Sequence, residues 1–441
     1  TLRAAFAARF LSPASSLRPS LLLSTSLFVE GNVPAVQPQS IAIIGAGTAG
    51  LATAALLAQQ GHAITLIERA PALEPVGAGL LLQPAGLSVL HRMGLYQAMY
   101  RYGAHIDALV GHTYSGRAIM NSHYRPLGEQ AHGLGIHRAS LCHVLDSHLQ
   151  TLPHQRRMAS TVIAVDSQPQ QATVTLEQKH ENRTGTQTLT FDAVLIANGS
   201  HSQLRPAAWT RYDRLYPWGA MWAMLPMTAP FDVPLLQQRY HRASAMAGIL
   251  PTGSRPDQPE TPLASFFWSL PVTEIAHWQQ PDFAASPFEK WRGALHTFWP
   301  QLDEVLTPLT QAQQLTPATY RDVIMSKWGD NRLGVIGDAA HAMSPQLGQG
   351  ANMALLDAWA LGDAMQQSDN WHQVWAHYHQ HRGPQIRFYQ RMSRWLTPAF
   401  QSHSRIVATG RDLLFPLLNH LPWMRLQMAR TIAGLKTGLL R

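Results

Sequence analysis

The apolar run Ile41-Ala42-Ile43-Ile44 leads into Gly45-Ala46-Gly47-Thr48-Ala49-Gly50, after which Leu51, Ala54, Ala55 and Ala58 recur at helical spacing. The pattern predicts a buried strand, a tight turn and a helix over 48–59 that stops at Gly61. Residues 63–67 predict a second apolar strand ending at Glu68. Farther on, 161–166, 172–177 and 186–191 read as a meander with a polar turn at 178–185, followed by a buried strand at 193–197. A helix is expected over 139–149. Alternation at 221–225 and the runs 244–250 and 263–270 predict more strands, and 106–123 another pair. Between the two runs, 251–262 is rich in Pro and acidic residues and is expected to be a loop. Residues 288–299 predict a helix with Trp291, Leu295 and Trp299 on one face. Val335-Ile336 reads as a short buried strand, with a helix over 351–365 after it. Beyond about residue 390 the pattern is helical and basic to the end.

The first segment is the phosphate end of a dinucleotide-binding unit. Gly45 permits the turn, Gly47 lets backbone approach a pyrophosphate, and Gly50 lets helix and strand pack closely. Ala49 lies in the same turn, where the helix N-terminus faces the phosphates. Glu68 stands about 20 residues past the glycines, where a carboxylate takes a ribose hydroxyl. Arg69 follows it and is a candidate for the adenine or for an incoming nicotinamide cofactor.

Composition narrows the chemistry. The chain has 441 residues, 46% of them hydrophobic, which suffices for two or three lobes with full cores. The single cysteine, Cys142, excludes an internal disulfide framework and is expected to pack as a small apolar residue. The 22 histidines show no paired-ligand spacing, so no metal site is expected, and His379 and His381 read as a solvated helix face. Net charge is +8, carried almost wholly by arginine. No nucleic-acid motif accompanies it, and the charge suits FAD, a nicotinamide phosphate or a carboxylated substrate. Residues 1–39 hold Arg3, Arg9 and Arg18 and no acid before Glu30, which fits either a disordered extension or an organelle transit peptide. The expected location is cytoplasmic, or organellar in the second case. No uncharged apolar run reaches the length of a membrane span.

A second glycine-rich segment, Gly337-Asp338-Ala339-Ala340-His341-Ala342-Met343-Ser344-Pro345 followed by Gly348, Gly350, Ala351 and Asn352, resembles the Gly-Asp motif of the p-hydroxybenzoate hydroxylase-like (group A) FAD monooxygenases. Residues 194–205 resemble that family's Asp-Gly motif, with Asn198-Gly199 where an Asp is usual; charge is lost there while hydrogen-bonding capacity stays. Arg138, in Ile136-His137-Arg138-Ala139-Ser140-Leu141, matches the family's flavin-side arginine, and 77–84 matches the stretch after the ribose-binding strand. The resemblance runs from about residue 40 to the 390s. It implies an α/β fold: a Rossmann-like FAD-binding domain with an inserted β-sheet substrate domain and a C-terminal helical segment. The domains expected are 40–110, 131–205 and 319–395 for FAD, 111–130 and 206–318 for substrate, and helices over 396–441.

The resemblance also implies roles. Asp338 bonds the ribityl chain, and Pro345 to Asn352 lie against the isoalloxazine. His341 stands near the ring, where a structural role is expected of it, and no residue is nominated as acid or base. The reaction implied is NADH- or NADPH-driven monooxygenation of an aromatic or other apolar substrate through a flavin C4a-hydroperoxide. Eight of the 13 tryptophans lie from Trp209 to Trp328. Trp218, Met221, Trp222 and Trp268 are the expected pocket lining. The alternatives are an oxidase or dehydrogenase of the same fold, and a non-catalytic flavin-binding protein. A flavin halogenase is disfavoured, because no lysine precedes Lys179 and Trp218-Gly219-Ala220-Met221-Trp222 is not the Trp-x-Trp-x-Ile-Pro stretch. The C-terminal helices suit either a cap on the FAD lobe or contact with an anionic membrane. The oligomeric state is left open.

Overall fold

The computed structural model describes residues 36–73, 77–180, 183–278 and 285–439; the extension read in residues 1–39 lies almost wholly outside them. Ser40–Ile44 is the centre of a six-stranded sheet. It pairs in parallel with Ala63–Ile67 on one side and with Ala193–Ile196 on the other. His154–Arg157 and Leu333–Val335 extend the sheet in parallel, and the short Gly329–Asp330 closes it antiparallel. Its inner strands are continuous apolar runs because they are covered by the helix Thr48–Gln59 and by a meander of three strands over 162–191.

The helix Thr48–Gln59 has every residue from Ala49 to Ala58 buried, so it is enclosed rather than amphipathic. Its alanines permit this: it packs against both Gly350–Gln366 and Arg138–Leu149. The glycines divide the work. Gly45 has φ +106°, and a Cβ there would meet Ala197 O at 2.7 Å. A Cβ on Gly50 would stand 1.8 Å from Gly45 O, backbone against backbone. Nothing lies within 4 Å of a Cβ built on Gly47. Gly50→Ala is therefore expected to abolish folding of this half, whereas Gly47→Ala folds normally and retains less FAD. Circular dichroism and the flavin absorbance of the purified proteins check both.

The second large sheet has seven strands, in the order Thr316–Met325, Thr210–Pro226, Gln258–Pro271, Ala245–Arg255, Leu235–His241, Ala108–Thr113, Ala118–His123. The strand pair expected near 106–123 forms one edge of it. Residues 251–262 are not a loop. Ala245–Arg255 and Gln258–Pro271 form a hairpin that carries the strands through them, with irregular register between Pro251 and Arg255. There Gly253 takes φ +66° and a Cβ would fall 2.1 Å from Tyr102 O, so the prolines sit in a bulged hairpin instead of ending it.

One face of this sheet packs against helices Ala285–Phe298 and Leu302–Leu306 in a core holding Met221, Phe266, Leu295 and Trp299. The other face holds Leu109, Tyr240, Met246 and Phe267. The meander Val162–Ser167, Ala172–His180, Arg183–Phe191 makes a separate three-stranded sheet. Helices Trp371–Phe400, Arg405–Leu418 and Pro422–Ile432 complete the chain, and no helix among the described residues is long and apolar enough to cross a membrane.

Candidate active site

A single cavity of about 1490 Å³ runs from the end of the central sheet to the seven-stranded sheet and the C-terminal helices. Gly45, Gly47, Ala49, Glu68 and Arg69 line it at one end, with Arg138, Asn198 and Gly199 beside them. Asp338, His341, Pro345, Gly348, Gly350 and Ala351 line its middle. Three residues of the expected set stand behind the wall instead. Gly50 packs the helix, Gly337 (φ +61°) turns the chain into Asp338–His341, and Asn352 is fully buried. Asn352 accepts from Gln83 N at 2.8 Å and donates to Leu81 O and Gly348 O, so it fixes the turn that faces the cavity.

Glu68 is held by two backbone amides: Ala46 N donates to one carboxylate oxygen at 2.8 Å and Ala70 N to the other at 2.9 Å. Asp338 is exposed where it lines the cavity, and the protein around it partly desolvates its carboxyl and raises its pKa against the pull of His341, Arg138 and Arg205. Its Oδ1 is 3.6 Å from a Cβ built on Gly350, so it sits at the N-terminus of the Gly350–Gln366 helix. Gly348 adopts a left-handed conformation, φ +60°, which ends the turn begun at Pro345.

Behind this segment lies an ion network that sequence reading missed. Asp357 is fully buried and accepts from Gly337 N at 2.8 Å, His341 Nε2 at 2.6 Å and Arg382 Nε at 2.7 Å. Burial alone would raise the Asp357 pKa, but His341 and Arg382 together hold it far below the usual carboxylate range. His341 is thus tied to a structural partner although it also touches the cavity. A charged residue inside the apolar run Leu355-Leu356-Asp357-Ala358 was the available signal. On the other side, the Arg205 guanidinium donates to Ala339 O, Ser202 O and Asp213, which binds Arg321 in turn. This ties the 198–205 segment to the Asp338 helix.

The cavity fits a bound dinucleotide. Gly47 leaves the room that a Cβ would fill. The Gln83 amide nitrogen, buried and lining the cavity, has no partner, because Tyr124 donates to the other end of that amide and fixes its direction. Burial pushes the Tyr124 phenol pKa well up, so it remains a donor.

Of the four expected lining residues only Trp222 reaches this cavity. It pairs across the sheet with Phe267, which also lines it, while Met221 pairs with Trp268 on the opposite face. Met221 belongs to the core against the helices, and Trp268 packs edge-on to Trp291 and Phe298. Side chains alternate across a strand, so 221 and 222 cannot share a wall. Trp218 lines a separate, smaller pocket with Tyr212 and Arg394. Tyr240, Met246 and Tyr320 complete the apolar wall; burial raises the Tyr320 pKa to about 12, and its hydroxyl accepts from Trp222 Nε1. Trp222→Ala is expected to raise KM and leave the melting temperature nearly unchanged. Trp268→Ala costs roughly 3 kcal/mol of stability with KM unchanged. Thermal melts and steady-state kinetics on the two variants check this.

One other expectation changed. His379 is not on a solvated face: its Nε2 accepts from Trp328 N at 2.9 Å, while His381 is exposed. Cys142 packs against the main apolar core, as expected, beside Arg138, and burial raises its pKa. Among the described residues no His, Cys, Asp or Glu cluster could hold a metal.

Comparison with known proteins agrees with this geometry. Residues 39–387 match the family model described as FAD binding domain. A 3-amino-4-hydroxybenzoate 2-monooxygenase of Streptomyces cremeus is 29% identical over 343 residues, covering 73% of this chain and 77% of that protein. A 6-methylpretetramide 4-monooxygenase of Streptomyces rimosus is 28% identical over 327 residues, covering 73% of each. The crystal structure of P. aeruginosa PqsL in complex with 2-aminobenzoylacetate has a TM-score of 0.69 at 20% identity, covering 85% of this chain and 99% of that one. A strand, glycine turn and Glu68 at one end of the cavity, Asp338 and its loop in the middle, and a family match across most of the sequence lead to one assignment: the chain belongs to the p-hydroxybenzoate hydroxylase-like family of FAD-dependent monooxygenases.

Proposed function

We propose that this FAD-dependent monooxygenase uses NADH or NADPH to drive oxygenation of an aromatic or other apolar organic substrate. The observation that carries the reading is the continuity of one cavity, glycine- and charge-lined at one end and walled by Trp222, Phe267 and Tyr240 at the other. In this reading Gly45, Gly47 and Ala49 hold the pyrophosphate, Glu68 the adenosine ribose and Arg69 the adenine edge. Arg138, Asn198 and Gly199 flank the cofactor, Asp338 bonds its ribityl chain, and Pro345 to Ala351 lie along its ring. Bound FAD supplies hydride acceptance and oxygen activation. The protein's part is to orient and to exclude water. The Gly350–Gln366 helix directs its positive end and free amides at developing negative charge. The apolar wall keeps bulk water from the reacting ring. Burial keeps the Tyr320 hydroxyl protonated, so no charge develops on that wall at neutral pH. The substrates in the relatives' names, an aminohydroxybenzoate and a methylpretetramide, support an aromatic ring.

The test is anaerobic reduction of the purified yellow protein by NADH and by NADPH with a panel of phenols and aminophenols. A substrate should speed bleaching and, once air is admitted, return with one added oxygen by mass spectrometry. Steady NAD(P)H consumption without an oxygenated product from any compound would refute the reading.

A further inference from the structure

The helix Arg405–Leu418 faces two ways. Its inner side places Phe415 and Leu418 in the cavity wall and buries Ala408 and Arg411. Its outer side exposes Ile406 at 86%, Leu413 at 55% and Leu417 at 64%, with Val407 and Leu414 one residue over. Those positions fall on one face of the helix. Leu421 and Trp423, 52% and 56% exposed, continue the face into the next helix. Single exposed apolar residues are ordinary, but a contiguous row of this kind marks an interaction surface.

We propose that helices Arg405–Leu418 and Pro422–Ile432 seat the protein on an anionic bilayer, and that the cavity opens to the lipid between them. The substrate is then a membrane-dissolved aromatic compound carrying an apolar chain. This rests on the monooxygenase reading above and names its substrate class.

Charge selects the occupant. From residue 396 to the end of the chain Asp412 is the sole acid, against Arg405, Arg411, Arg425, Arg430, Lys436 and Arg441. Arg411 bonds Asp412 at 2.6 Å and so removes its charge from the surface. Arg405 and Arg425 are exposed beside the apolar row. An apolar face flanked by arginines, with no free acid, matches a helix lying in the interface of an anionic membrane.

The cavity supplies the second line of argument. Trp423 and Leu439 are at once surface residues and cavity lining, so the wall reaches solvent beside the apolar row. From there inward the lining is Met428, Met424, Leu418, Phe400, Leu396 and Met392. Among the described residues lining this branch Lys436 is the one charged side chain, and its ammonium donates to Gln427 Oε1 and Leu439 O. The whole cavity, about 1490 Å³, exceeds the ~300–1,000 Å³ of a site for one small ligand, leaving room for a long second molecule beside a dinucleotide.

The test uses the full chain loaded with FAD. Sedimentation with vesicles of phosphatidylcholine plus phosphatidylglycerol should recover the protein, and vesicles of phosphatidylcholine alone should recover much less. The Leu413→Glu/Leu417→Glu variant, altered only on the outer face, should bind vesicles at least about tenfold more weakly while keeping its FAD. Then 4-alkylphenols of rising chain length are titrated by the change in flavin absorbance, without turnover. Affinity should climb by up to about fourfold per added methylene until the branch is filled. Equal recovery with both vesicle types, a variant that binds as the parent does, or affinity that is flat beyond ethyl would each overturn the proposal. If the chain-length gradient holds but no phenol is oxygenated, the lipid-side entry stands and the monooxygenase reading is the one that fails.

Discussion

Asp338→Ala yields protein that folds and is nearly colourless. In the proposed site the lost contact is a hydrogen bond from the cofactor to a charged acceptor, about 1.5–3 kcal/mol, so FAD should bind about 10- to 150-fold more weakly. The same substitution should not weaken the apo-protein. Desolvation raises the Asp338 pKa in the folded state, so the ionised carboxylate is a cost to the empty fold. With a raised folded pKa, that penalty is absent below the ordinary Asp value and grows as pH rises through the folded one. At pH 7 the apo variant should therefore melt at the parent's temperature or above it, while flavin titration shows the loss of affinity. A variant that holds FAD as tightly as the parent would remove Asp338 from the site.

The opposite pairing of effects is expected at Asp357. Removing its carboxylate leaves Arg382 and His341 in the interior without their anion and Gly337 N without its acceptor. Breaking a buried pair in this way costs about 3–5 kcal/mol. That is a large part of the roughly 5–15 kcal/mol that holds a domain folded. Asp357→Ala should unfold at much lower urea concentration and lose FAD as a consequence. Because the folded pKa is depressed, the stabilisation is complete above the ordinary carboxylate value and is lost as pH falls below about 4. The parent should show that acid loss in urea titrations across pH, and an Asp357→Leu/Arg382→Met double variant should show less of it. Its total destabilisation should also fall short of the sum of the single changes, since the two residues share one interaction.

The glycine turn at one end of the cavity could be read from the chain because close packing constrains it residue by residue. Gly45 and Gly50 have backbone neighbours that admit no side chain, so the glycines had to appear in the sequence. The Asp357 network was hidden for the converse reason. Arg382 lies 25 residues away on another helix, so the apolar run around Asp357 marks a buried charge without pointing to its partner. The tryptophans show a third limit. Alternation tells which residues of 210–226 share a face, but not which face the helices of 285–306 will cover. The hairpin over 251–262 was obscured by prolines, which read as breakers until Tyr102 is seen docking against the Gly253 bulge.

The seven-stranded sheet keeps its two duties on opposite sides of one backbone. Trp222 and Phe267 look into the cavity, while Met221 and Phe266 look toward the helices that secure the lobe. Neighbours in sequence thus belong to separate accounts of free energy, and changes on the two sides should add rather than interfere. A lineage carrying this sheet can exchange one ring-facing residue after another and acquire new chemistry without first re-solving how to fold.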